Sequence, residues 1–123
     1  MRKLILSLAT ACFVTVSVFA ADSPASSQAE VTKLVSAIAS DNYAAFVADG
    51  NAAFQGLKKD QFESVVSQLG SKLKSGYDLA YLGLLNQRGY LVTLWRIRFR
   101  AGGDDLLATL SMKDGKVGGF WIK

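Results

Sequence analysis

The 123-residue chain has no histidine, one cysteine and one proline. Without histidine there can be no Ser-His-Asp triad, no histidine-held metal and no side chain that titrates near neutrality unaided. The cysteine, Cys12, falls in an apolar N-terminal run, so 21–123 has no disulfide, no thiol nucleophile and no cysteine-based metal site. Runs of like charge, internal repeats and low-complexity tracts beyond a short Ser/Ala stretch are missing too. The formal net charge is only +4, and half of that sits on Arg2 and Lys3. So small a surplus gives no argument for nucleic acid as a partner.

Arg2 and Lys3 are followed by Leu4 to Phe19, apolar or small throughout, and Val18-Phe19-Ala20 ends in the small residue that a cleavage site requires. This is the layout of a secretory signal peptide over 1–20, cut before Ala21. The apolar run is shorter than the roughly 20 residues of a spanning helix, and no basic flank follows it, so no stable membrane anchor is expected after cleavage. Ala9-Thr10-Ala11 lacks the large aliphatic residue that lipoprotein signals place before their cysteine. The expected product is periplasmic or secreted, with 21–27 a flexible linker and 28–123 one α+β domain.

Within that domain Ser27 and Glu30 form a capping-box pair, and Val31, Leu34, Val35 and Ile38 follow at helical spacing. The first helix is therefore expected at about 28–40. Ser40 or Asp41 can cap a short second helix with Tyr43, Phe46 and Val47 inside, stopped at Gly50. Ala52, Ala53, Phe54 and Leu57 read as an apolar connector. Phe62, Val65, Val66, Leu69 and Leu73 predict a third helix over about 59–74.

Four strands follow, at 77–86, 90–100, 105–112 and 117–122. Asp114-Gly115 fits the positive φ values of a two-residue hairpin. On the second strand Leu91, Thr93, Trp95, Ile97 and Phe99 share one face, and Tyr90, Val92, Leu94, Arg96, Arg98 and Arg100 the other. The first set is placed under the helices. Leu106, Ala108, Leu110 and Met112 are assigned inward on the third strand. On the fourth, Phe120 and Ile122 point inward, with Val117 and Trp121 outward unless a one-residue bulge reverses the order. The fold class is α+β: three N-terminal helices on one face of a four-stranded antiparallel meander.

Two recognition surfaces follow. A ligand site between helices and sheet would use Tyr43, Phe46, Tyr81 and Trp95. Alternatively Arg96, Arg98 and Arg100, about 7 Å apart at strand spacing, with Tyr90, Val92, Leu94 and Trp121 beside them, suit an anion, a second copy or a protein partner. Gly102-Gly103-Asp104-Asp105 lacks the ligand pattern of a calcium loop and reads as a turn. No metal or other cofactor is implied.

Gly50-Asn51-Ala52-Ala53-Phe54, Leu57 to Phe62, Leu69-Gly70, Trp95, Gly102 to Asp105 and Asp114 to Phe120 together resemble the cystatin-like or nuclear-transport-factor-2-like α+β superfamily, and within it small exported bacterial domains of unknown function. The resemblance covers 41–123 and rests on turn, cap and core residues. It implies a curved sheet closing over helices, and membership ranging from isomerases and dehydratases to binding domains. The enzymes of that group work with a buried Asp and Tyr donors, which here singles out Asp78, Asp41 and Tyr81. Such a site needs a carboxylate in an apolar cavity near a phenol. The expected function is non-catalytic binding, with the Asp/Tyr enzyme as the alternative.

Overall fold

The computed structural model describes residues 24–123, so the expected leader, its cleavage point and Cys12 lie outside the described residues. The elements run α1 (Pro24–Ala39), α2 (Tyr43–Val47), α3 (Ala52–Gln55), α4 (Lys59–Lys74), β1 (Tyr77–Gln87), β2 (Tyr90–Phe99), β3 (Leu106–Lys113) and β4 (Lys116–Ile122). The helices precede the antiparallel meander β1-β2-β3-β4, the α+β order expected.

Two helix boundaries differ from the reading of the sequence. α1 begins at Pro24, four residues early. Proline suits a first helical position because no intrahelical N–H is needed there. The expected linker is thus helical from Pro24, and Ser27 is not a cap. It is fully buried, and its Oγ has no hydrogen-bond partner among the described residues. The apolar connector is a one-turn helix, α3, because Asn51 Oδ1 accepts from the Phe54 N–H at 2.9 Å and Phe54 is buried. There are therefore four helices among the described residues. α2 is capped by Asn42 rather than Ser40 or Asp41.

α4 occupies the expected span and buries Phe62, Gly70 and Leu73. Its partner α1 contributes Val31, Leu34, Val35 and Ile38 to the same core. On the sheet side that core receives Trp95, Ile97, Phe99, Ala108, Leu110 and Met112. The alternation read from β2 and β3 is thus the observed one. β4 departs from it at one residue. Met112 pairs with Val117 but Ser111 pairs with Gly119, leaving Gly118 as an extra residue. This bulge turns Val117 into the core, where it is fully buried, while Phe120 stays inside and Trp121 outside.

Both two-residue hairpins carry positive φ at each central residue, Arg88-Gly89 and Asp114-Gly115. A third junction joins the layers. Val117 N–H donates to Asp49 O, and Asn51 N–H donates to Val117 O, at 2.9 Å each. Gly50 thereby forms a one-residue parallel bridge on the free side of β4.

Candidate functional site

The four residues expected to line a pocket do not converge. Phe46 is buried, with its ring 5.0 Å from that of Phe62, 5.4 Å from Phe54 and 6.2 Å from Phe120. Tyr43 meets Phe62 edge-on, and its hydroxyl donates to the Leu57 carbonyl. Trp95, 2% exposed, donates from Nε1 to Thr93 Oγ1, and Tyr81 stands against its ring at 5.2 Å. These are two separate aromatic clusters. The clefts that Phe46 borders reach none of Tyr43, Tyr81 and Trp95. Tyr43, Tyr81 and Trp95 pack against their neighbours, so the four residues enclose no common pocket.

The carboxylates of the enzyme alternative lie outside as well. Asp78 is exposed and pairs with Arg100 at 3.1 Å. Asp41 is exposed, at φ 55, and its carboxyl raises the pKa of its neighbour Glu63 by hydrogen bonding to it. Neither carboxylate hydrogen-bonds Tyr81 or occupies an apolar cavity, so the Asp/Tyr geometry is not assembled.

The arginine row is only partly free. Arg98 makes a two-pronged pair with Asp105, at 3.0 and 2.9 Å, which raises the guanidinium pKa and lowers that of the carboxyl. Arg100 is held by Asp78. Arg96 has no acidic partner among the described residues, and its Nε is buried without an acceptor.

Toward the β1–β2 hairpin the outer sheet face carries an open groove of about 690 Å³. Val92, Thr109 and Ser111 lie along it, with Tyr90 and Trp121 as its aromatic residues and Arg88 at the hairpin end. Trp121 is 58% exposed. The two glycines of β4 explain how the rings lie. A methyl group on Gly119 would overlap the Trp121 ring, and one on Gly118 would stand 2.6 Å from Tyr90 Cε2. Each ring therefore rests over bare backbone. Lys113 Nζ sits 5.5 Å from the Tyr90 centroid, adding positive charge.

A second cluster escaped the sequence reading. Lys33 Nζ pairs with Asp49 Oδ2 at 2.6 Å, and Glu30 lies against the same carboxylate. Partial burial, then hydrogen bonding to Asp49 and repulsion by its charge, push the Glu30 carboxyl up to about 7. Lys33 holds Asp49 below its ordinary value. Glu30 and Lys33 are neighbours on one helical face, a legible signal. Asp49 reaches them only through the fold.

Among the described residues no three His, Cys, Asp or Glu side chains gather to hold a metal, and no helix is long and apolar enough to cross a membrane. No family model matches the sequence, and no curated protein is significantly similar to it. Among solved structures, an NTF2-like protein of unknown function from Cytophaga hutchinsonii is similar to 78% of this chain over 87% of its own, at 8% identity and a TM-score of 0.39.

Proposed function

We propose that the protein is an exported, non-catalytic interaction domain, and that the outer face of its sheet docks a protein partner. The observation that carries this is Trp121, largely in solvent over Gly119, on the sheet face that also carries Arg96, which makes no salt bridge among the described residues. Exposed tryptophan and unpaired arginine on one face are the composition of an interface centre. Arg88, Lys113 and Lys116 flank the same face, with Asp114 as the acidic residue of that hairpin. The partner is accordingly apolar opposite Trp121 and acidic opposite Arg96. A second copy of the chain would bring like charges together, which makes an acidic partner the better fit. Export is supported by the leader pattern of 1–20.

The test is a photo-crosslinking residue at position 121 of the full chain, expressed in a bacterium and probed in its envelope fraction. The expected result is protein beginning at Ala21 and one discrete adduct, which disappears when Arg96→Glu and Arg98→Glu are introduced. An adduct at twice the protein's own mass identifies a second copy instead. No adduct, or one indifferent to the arginine changes, overturns the reading.

A further inference from the structure

β4 is a sheet edge, and only its first turn is covered. Lys123 exchanges both backbone hydrogen bonds with Leu107, at 2.8 and 3.0 Å. In an antiparallel ladder such pairs alternate, so Trp121 and Gly119 also face β3, while Phe120 and Ile122 turn their N–H and C=O groups away from it. Val117 does the same, and its two groups are taken by Asp49 and Asn51. A fifth strand thus starts at Gly50 and stops after one residue, where the chain turns into α3. Among the described residues Phe120 and Ile122 have no such partner, and their backbone groups make no hydrogen bond beyond the sheet.

The space beside those groups is not flat solvent. Three clefts of about 360, 290 and 210 Å³ succeed one another along the β4 edge, between it and α3–α4. Phe120 borders all three. Phe54 and Leu57 border the first two, and Phe46 and Val65 the last two. The one charged residue along them is Lys123, at the far end; the other polar side chains are Gln61 and Gln68.

From this geometry we infer that the open edge of β4 captures an extended peptide of a partner protein by strand addition. The backbone of Phe120 and Ile122 supplies the ladder, two donors and two acceptors, which only a chain in extended form can satisfy together. Peptide residues opposite Phe120 and Ile122 point, like them, to the inner side and fill the clefts. They are bulky and apolar at alternate positions. The residue between them lies on the outer side beside Trp121. An acidic residue follows at the Lys123 end, opposite the ammonium of that side chain and with no Asp or Glu side chain lining the clefts. This surface meets the sheet-face groove at Gly118 and Trp121 but does not require Arg96.

The probe is a blocked octapeptide alternating threonine with isoleucine and ending in two glutamates, titrated into the 21–123 protein with amide resonances followed. Saturable shifts are expected at Phe120 and Ile122, with slowed hydrogen exchange of both amides. Methylating the ladder nitrogens of the peptide should weaken binding at least tenfold. Ile122→Pro removes a donor that faces away from β3 and should weaken it comparably, while Arg96→Glu leaves it unchanged. Absence of binding, or equal binding of the N-methylated peptide, overturns the inference even if Ile122→Pro fails to fold. Shifts confined to Tyr90 and Thr109 also overturn it, while leaving the sheet-face proposal standing. An adduct that never forms, or that survives the arginine changes, would with intact peptide binding sink the sheet-face proposal alone.

Discussion

Glu30 shows how one carboxyl acquires a property its neighbours lack. It sits on α1 against Asp49, partly shielded from water, and holds its proton up to about pH 7. In the unfolded chain it releases that proton near its ordinary value of 4.5. The folded state therefore binds more protons across this window, and stability falls as the pH rises through it. Asp49 acts in the opposite direction and elsewhere. Its lowered pKa adds stability above 3.8 that is lost only at lower pH. Because Glu30 is only partly buried, solvent screening reduces its effect well below the full shift; a loss of about 1 kcal/mol corresponds to roughly 4–8 °C in melting temperature. Melting curves should show that decline between pH 4.5 and about 7, and Glu30→Gln should flatten it. A decline of the same size in the variant would refute the assignment.

At the scale of elements, the joint between the helical layer and the sheet rests on Gly50. A Cβ there would stand 2.5 Å from Phe54 Cδ2 and 2.8 Å from Phe54 Cβ. Phe54 is buried and its Cβ cannot swing away, so Gly50→Ala overpacks the joint at a cost of about 1–3 kcal/mol. Urea titration should give a lower midpoint with an unchanged slope. An unshifted midpoint would mean that α3 moves freely, against its capped and anchored geometry. Much of this level was legible in the sequence. The apolar spacing of Phe62 to Leu73 marks α4, and the alternation from Leu91 to Arg100 marks both faces of β2, because each pattern is set by local period. The start of α1 was not legible, since Ser27 and Glu30 mimic a cap that Pro24 makes unnecessary. Nor was the side taken by Val117, which depends on one unpaired residue, Gly118. The candidate sites were least legible. Spacing places Arg98 and Arg100 in a row, but their neutralisation by Asp105 and Asp78 depends on a turn and on a neighbouring strand. Of the pocket residues named for their aromatic character, Phe46 borders clefts beside β4, while Tyr43, Tyr81 and Trp95 pack against their neighbours.

At the scale of the molecule, the sheet has two edges of unequal character. β4 keeps a regular register beyond Gly118, and its edge there is open. β1 also bears exposed Tyr81, Leu82, Leu84 and Leu85, yet its register jumps between Tyr81 and Gly83, with Leu82 as the unpaired residue. Such a jump twists an edge and spoils it as a template. Every pairing of β1 with β2 already skips Leu82. Deleting it should therefore preserve the fold and leave a regular apolar rim, able to receive the β4 rim of the next molecule. A head-to-tail joint of that kind does not close on itself. The deletion variant is expected to scatter light progressively and bind an amyloid dye while the parent solution stays clear; a persistently clear variant would refute this. One leucine outside the register thus works as a stopper: with it the molecule is a finished tile, and without it the same tile acquires matching borders and has no last copy.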